Sequence, residues 1–89
     1  MIAAHVIFEG KVQGVYFRAF VKKNADAMGI NGWVKNLLDG SVDALFEGEK
    51  SDIERLIEKC VTEHPRAIVK NVKLEWREPE NIKGFEIRY

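Results

Sequence analysis

The feature that most constrains the fold is a change in the spacing of apolar residues on either side of residues 10–18, GKVQGVYFR. Before this stretch, Ala4, Val6 and Phe8 alternate with other residues, which is the period of a strand with one buried face. After it, apolar residues recur at helical spacing: Phe17, Phe20, Val21, Ala25 and Met28. The sequence therefore predicts a strand over residues 2–8 and a helix over residues 17–28, joined by a turn that contains glycine.

The turn between these two elements has the composition of an anion-binding site. Gly10 and Gly14 allow the backbone to approach a ligand, and the N-terminus of the following helix presents free N–H groups. Arg18 falls in the first turn of that helix, where a cation is disfavoured by about 0.3–1 kcal/mol. A bound anion would reverse that penalty. From these residues alone, a site for a phosphate-like ligand and an ordinary strand-to-helix turn are equally open interpretations.

Two further strands are expected next along the chain. Residues 30–36 form a short apolar stretch centred on Trp33 and Val34, and residues 41–47 alternate again. Asp39 and Gly40 between them are typical of a hairpin turn. The second and third strands are therefore predicted to form a hairpin.

The last third of the chain predicts a helix and two strands. Ser51 and Glu54 have the spacing of a capping box, and Pro65 should end this second helix near Glu63. Its apolar stripe consists of Ile53, Leu56, Ile57, Cys60 and Val61. Residues 68–76 predict a fourth strand, and residues 85–89 a short final one. In the fourth strand the residues expected to face inward are Val72, Leu74 and Trp76.

This order, βαββαβ with a short C-terminal strand, indicates an α+β fold of the ferredoxin-like, two-layer type. We expect one domain over residues 1–89, with an antiparallel sheet in the order 4-1-3-2. The first and second strands should then be parallel to each other, with the third between them. Because both end at the same edge of the sheet, Asn36 should lie beside residues 10–18. A chain of this size buries about 60–65% of its unfolded surface.

Charge and cysteine content exclude several classes of protein. The 14 basic and 14 acidic side chains balance, which argues against the broad basic field of a nucleic-acid binder. The single cysteine, Cys60, has no disulfide partner in the chain, and no Cys/His cluster has metal-ligand spacing. There is no apolar run of about 18 residues and no signal pattern. We expect a cytoplasmic protein with no metal, membrane or nucleic-acid partner.

Two stretches together resemble the signature motifs of the acylphosphatase family. They are GKVQGVYFR at residues 10–18 and GWVKN at residues 32–36, followed by Gly40-Ser41-Val42 and Gly48. The spacing between the motifs fits, and the resemblance covers nearly the whole chain. It implies a small free-standing acylphosphate phosphohydrolase. Such an enzyme hydrolyses the carboxyl-phosphate anhydride bond of acyl phosphates, without cofactor or metal, to a carboxylate and inorganic phosphate.

The resemblance also implies residue roles. The arginine of the first motif, here Arg18, binds the phosphoryl group, and the asparagine of the second, here Asn36, positions the attacking water. The backbone N–H groups of the first motif should cradle the phosphate oxygens: Gln13, Gly14, Val15, Tyr16, Phe17 and Arg18. These residue types suit the reaction, because phosphoryl transfer mainly needs charge neutralisation and an aligned nucleophile. A guanidinium binds two oxygens at once, and a neutral amide accepts from water without repelling a dianion.

The chain departs from the family pattern at three positions. Tyr16 stands where glycine is common, His64 precedes Pro65 where glycine is common, and Phe8 replaces an aliphatic residue. We expect the Tyr16 ring to shape the mouth of the site or restrict the acyl group. His64 is expected in a turn far from the motifs, with little catalytic effect. His5 is expected on the open face of the sheet.

Two other functions compete with the hydrolase. The same βαββαβ order serves RNA-binding RRM domains, but those carry stacking aromatics on a basic third strand, whereas residues 41–47, SVDALFE, are acidic. The second is a non-catalytic anion-binding domain that has kept the fold. The module also occurs inside larger carbamoyl-transfer proteins, although the length of 89 residues favours a free-standing enzyme. We expect a monomer.

Overall fold

The computed structural model describes residues 1–89 and contains five strands and two helices. They are β1 (Ile2–Lys11), α1 (Phe17–Met28), β2 (Asn31–Asn36), β3 (Val42–Gly48), α2 (Lys50–Thr62), β4 (Ile68–Arg77) and β5 (Phe85–Arg88). The strands form one sheet in the order β4-β1-β3-β2-β5. Both helices pack against the face of the sheet that carries Ala4, Val6 and Phe8. The predicted two-layer α+β sandwich is confirmed.

The sheet register explains why the two motifs meet. β1, β2, β3 and β4 pair antiparallel in the predicted order 4-1-3-2, and β5 adds a parallel pairing with β2, which makes the complete sheet mixed. Near the end of β1, Phe8 lies opposite Val42, and at the end of β2, Asn36 lies opposite the same Val42. The pairing of β1 with β3 and the pairing of β2 with β3 therefore end at the same residue of β3, at one edge of the sheet.

The core is built from the inward faces of the strands and one stripe of each helix. The Phe8 ring lies 5.2 Å from the Phe17 ring, centroid to centroid, and 6.4 Å from the Phe46 ring. The middle of the α1 stripe, Val21 and Ala25, is fully buried. The ring of Phe17, at the start of α1, thus packs directly on β1, which fixes the helix N-terminus over the end of that strand.

The predicted start of α2 is wrong. The helix begins at Lys50, with Glu49 as its N-cap and no side-chain capping bond, so Ser51 and Glu54 do not form a capping box. The N–H of Ile53 donates to the Glu49 carbonyl at 3.0 Å, which places Ser51 inside the first turn. Asp52 supplies the acidic side chain that the positive end of the helix dipole favours.

β4 is an edge strand, and its inward face is only partly covered. Val72, Leu74 and Trp76 do share the core side, since they lie opposite Phe8, Val6 and Ala4. Val72 and Trp76 pack against the core, but Leu74 is 43% exposed. α2 packs mainly over β1 and β3 and covers β4 only in part. Leu74 is exposed because β4 lies at the edge of the sheet. The alternation of apolar residues in the sequence does not reveal that position.

The segment 78–84 runs from β4 at one edge of the sheet to β5 at the other. The buried carboxylate of Glu47 accepts hydrogen bonds from the N–H groups of Glu80 and Ile82. Gly84 is then held by Asn31, whose side-chain oxygen accepts from its N–H at 3.2 Å. Polar side chains of β3 and β2 thus guide the chain across the sheet. Neither α1 nor α2 has the length and hydrophobicity needed to cross a membrane.

Candidate active site

The loop that joins β1 to α1, residues 12–16, is anchored at three points. Val12 and Val15 are buried in the core and hold the loop against the layers below it. The side-chain amide of Gln13 donates to the carbonyl oxygens of Leu37 and Ser41, each at 2.8 Å. The loop is therefore tied both to the core and to the turn between β2 and β3.

The backbone N–H groups of this loop and of the first turn of α1 have no acceptor within the protein. From Gln13 to Ala19, none donates a hydrogen bond; the first that does is Phe20, to the Tyr16 carbonyl at 3.1 Å. Tyr16 has the left-handed conformation, φ 60° and ψ 30°, and neither a side-chain cap nor an acidic residue compensates the helix N-terminus. Such a run of N–H groups at a helix N-terminus attracts anions.

Asn36 lies across from this run, at the end of β2. Its side-chain oxygen Oδ1 is buried and has no hydrogen-bond partner. An acceptor left in this state costs about 1–3 kcal/mol, so the atom is available to accept a hydrogen bond from a donor that enters the site. Asn36 lines a cavity of about 440 Å³ whose full lining is Val12, Gln13, Gly14, Tyr16, Phe17, Arg18, Ala19, Asn36, Ile87 and Tyr89.

Arg18 enters the same cavity from the first turn of α1. Its guanidinium carbon lies 4.9 Å from the centroid of the Tyr89 ring, and one of its nitrogens lies 3.5 Å from the Arg88 carbonyl oxygen. It forms none of the ion pairs of the structure. The Arg18 charge is therefore held loosely by neutral groups and is free to bind an anion.

The cavity gathers every residue predicted for the site except Val15, whose side chain packs into the core. Sequence reasoning missed Ile87, which lies on β5, and Tyr89, which follows the last residue of β5. Their alternation with Phe85 indicated a strand but not its place beside β2, and that pairing brings them to the cavity. No acidic side chain lines the cavity, and no cluster of three or more His, Cys, Asp or Glu residues could hold a metal ion.

The expectation that His64 lies far from the motifs is wrong. Its ring centroid is 5.9 Å from that of Phe17, a residue of the first motif, and 5.0 Å from that of Phe20. Its Nδ1 accepts hydrogen bonds from the N–H groups of Arg66 and Ala67, at 3.0 and 2.9 Å. His64 therefore ties the loop that follows α2 to the start of α1.

Two other candidate groups take no part in the cavity. Cys60 is fully buried on the core side of α2, and burial raises the pKa of its thiol to about 12, which keeps it protonated. His5 lies on the open face of the sheet, as predicted, where its ring is hydrogen-bonded to the carboxylate of Asp43. Their placement agrees with packing and surface roles.

Comparison with known proteins gives a consistent result. Residues 4–87 match the family model described as Acylphosphatase. An acylphosphatase from Haloarcula marismortui is 48% identical over 86 residues, which cover 97% of this chain and 94% of that protein. The crystal structure of acylphosphatase from Bacillus subtilis superimposes with a TM-score of 0.95 at 36% identity, covering 100% of both chains. An acylphosphatase structure from Coxiella burnetii gives a TM-score of 0.92 at 40% identity, covering 98% of this chain and 92% of that one.

Proposed function

Since the chain belongs to the acylphosphatase family and hydrolyses acyl phosphates to a carboxylate and inorganic phosphate, we propose that the reaction takes place in the cavity between the 12–16 loop and Asn36. The observation that carries this proposal is the juxtaposition of two kinds of unpaired group. The Asn36 oxygen is a buried acceptor without a donor, and the loop N–H groups are donors without an acceptor. A phosphoryl group with an attacking water satisfies both.

The phosphoryl group binds to the backbone N–H groups of residues 13–18 and to the guanidinium of Arg18. The helix N-terminus and Arg18 are both positive and repel each other. The negative charge of the phosphoryl group offsets both and so removes this repulsion. The planar guanidinium binds two phosphoryl oxygens at once. By comparison with other catalytic arginines, Arg18 supplies about 4–7 kcal/mol of transition-state stabilisation.

Asn36 positions the nucleophile. Its Oδ1 accepts a hydrogen bond from a water molecule, whose oxygen then faces the phosphorus in line with the leaving group. The water oxygen bonds to phosphorus as the bond from phosphorus to the acyl oxygen breaks, and that electron pair leaves with the carboxylate. One water proton stays on the new phosphate oxygen, and the other passes to a second oxygen of the phosphate. A carboxylate is a weak base, so its departure needs no general acid.

The proposal is tested by hydrolysis of benzoyl phosphate in the presence of a chelator. Wild type should remain active and be inhibited by inorganic phosphate. Arg18→Gln should lower kcat/KM by about a thousandfold or more and weaken phosphate inhibition, because it removes the charge that binds the anion. Asn36→Ala should lower kcat about a hundredfold while phosphate inhibition persists, because the cradle stays intact.

Matched controls separate these effects from general damage. Arg55 is an exposed arginine on α2 and Asn71 an exposed asparagine on β4, both outside the cavity. Arg55→Gln and Asn71→Ala should retain wild-type activity. If the Arg18 and Asn36 variants also retained activity within about twofold, the assignment of the site would be refuted.

We further propose that the enzyme works as a monomer in the cytoplasm. One chain supplies every residue that lines the cavity, so the site needs no second copy. The only cysteine is a buried free thiol, which suits a reducing compartment. Light scattering after size exclusion should give a single species of 10.2 kDa whose activity per chain does not change with protein concentration. A larger mass that falls on dilution would contradict the monomer.

A further inference from the structure

A second cavity adjoins the proposed active site, and both loop residues that depart from the family pattern line it. It has a volume of about 480 Å³ and is lined by Val15, Tyr16, Ala19, Phe20, Lys23, His64, Pro65 and Arg66. Tyr16 and Ala19 also line the first cavity. The second cavity therefore continues the proposed active site on the far side of the Tyr16 ring.

The charged groups of this second cavity are all positive. Lys23 projects from α1 and Arg66 from the loop after α2, and no acidic side chain lines the cavity. Neither cation takes part in an ion pair. In a chain whose 14 basic and 14 acidic side chains balance, this is a locally positive region beside a site for a phosphoryl group.

The loop that carries Arg66 is held in place rather than free. His64 accepts hydrogen bonds from the N–H groups of Arg66 and Ala67, and its ring packs edge-on against Phe20. A fixed loop loses little conformational entropy when a ligand binds, so its charge contributes more to affinity. His64 thus sets the separation between Arg66 and α1.

Tyr16 supplies an apolar surface between the two cavities. Tyr16 is 80% exposed even though its backbone holds the left-handed conformation, which a residue with a side chain adopts at a cost. The ring covers no core, so its burial does not explain why tyrosine stands here. It does offer a face on which an acyl group could lie after leaving the phosphoryl cradle.

We propose that the second cavity binds the acyl part of the substrate, and that Lys23 and Arg66 recognise a second anionic group on it. The preferred substrates are then acyl phosphates whose acyl group is itself negatively charged at its far end. This inference rests on the proposed function, because it requires the phosphoryl group to be bound beside Arg18.

The test compares synthetic substrates that share a benzoyl phosphate frame and differ in the charge of the group at position 4. These are 4-carboxybenzoyl phosphate, its neutral isostere 4-carbamoylbenzoyl phosphate, and 4-phosphonobenzoyl phosphate. For wild type, kcat/KM should be at least about fivefold higher for a charged substrate than for the neutral one, and this ratio should fall as salt is added. The better of the two charged substrates distinguishes a carboxylate from a phosphate-like second group.

Substitutions at the lining residues then show which side chains cause the preference for charged substrates. Lys23→Ala and Arg66→Ala should each lower the charged-to-neutral ratio about threefold, and the double variant should bring it close to one. Lys83→Ala removes the same charge from the segment that precedes β5, beside the start of β2, and should leave the ratio unchanged. His64→Ala should lower the ratio as well, since Arg66 loses its anchor while keeping its charge.

Two outcomes overturn the inference. One is a wild-type ratio near one, and the other is a ratio that the double variant does not change. Arg18→Gln distinguishes this failure from failure of the proposed function. If Arg18→Gln still abolishes hydrolysis of the neutral substrate, only the second cavity is wrongly assigned. If Arg18→Gln leaves that hydrolysis intact, the active site itself is wrongly assigned.

Discussion

The side-chain amide nitrogen of Gln13 lies 2.8 Å from the carbonyl oxygen of Leu37, the residue that follows Asn36. The same nitrogen lies 2.8 Å from the Ser41 carbonyl, where the chain enters β3. One side chain thus joins the loop with the free N–H groups to the turn that follows Asn36. In the proposed site, this link would set the distance between the phosphoryl group and the attacking water.

Replacing Gln13 should therefore harm catalysis more than folding. Gln13→Ala removes both hydrogen bonds and should lower the free energy of unfolding by about 1–2 kcal/mol. It should lower kcat about tenfold or more, because the loop can shift relative to Asn36. Gln13→Glu keeps the length but has no donor, and should be at least as damaging. Benzoyl phosphate kinetics and urea denaturation check both effects; wild-type kcat in a destabilised Gln13→Ala variant would contradict the alignment role.

The backbone of Tyr16 predicts a stabilising substitution. At φ 60° a side chain is strained, whereas glycine adopts this conformation without a clash. Tyr16→Gly should raise the free energy of unfolding by about 1 kcal/mol, since relief of the left-handed conformation exceeds the entropy cost of glycine. Tyr16 is 80% exposed, so little buried area is lost. Urea denaturation measures the change, with Tyr16→Phe as a neutral control; a less stable glycine variant would show that the ring supports the fold.

Gly32 of the second motif is required for packing rather than for chemistry. A Cβ atom at this position would lie 1.8 Å from the Leu45 carbonyl oxygen, and the backbone has φ 141°. Gly32→Ala should cost more than about 3 kcal/mol or prevent folding, because backbone atoms of β3 cannot move aside. Gly48→Ala is the matched control, since its Cβ would meet only the Ile30 side chain at 3.6 Å. Circular dichroism and thermal unfolding compare the two; equal stability would contradict the close approach of the strands.

The thiol of Cys60 should report global unfolding. Burial raises its pKa to about 12, so at pH 8 only about one thiol in ten thousand is ionised in the folded protein. A disulfide reagent should react slowly with the native enzyme and rapidly in guanidinium chloride. Because the folded pKa lies above the unfolded one, this group stabilises the fold below about pH 9, and the contribution is lost as the pH rises towards 12. Rapid labelling of the native enzyme at pH 8 would contradict this burial.

Periodicity and turn chemistry were enough to predict the elements, the order of four strands and the meeting of Arg18 with Asn36. They were not enough where tertiary position overrides a local signal. Ser51 has the sequence of a cap, but the helix starts one residue before it. Leu74 alternates like a core residue, yet it lies on an edge strand that α2 covers only in part. His64 looked remote because its contact with Phe17 depends on how the two helices pack, which no local pattern encodes.

Residues 78–84 carry the chain to the β2 edge of the sheet, and this path determines when the cavity can assemble during synthesis. A nascent chain that has reached Arg77 already holds four strands, both helices and both motifs. It still lacks Phe85, which stacks on Phe46 at 6.0 Å, and it lacks Ile87 and Tyr89, which close the cavity beside Arg18. For the proposed site, assembly of the cavity requires β5 to pair with a strand made some fifty residues earlier, which is a slow, non-local step. Activity should therefore appear only after β5 has paired with β2.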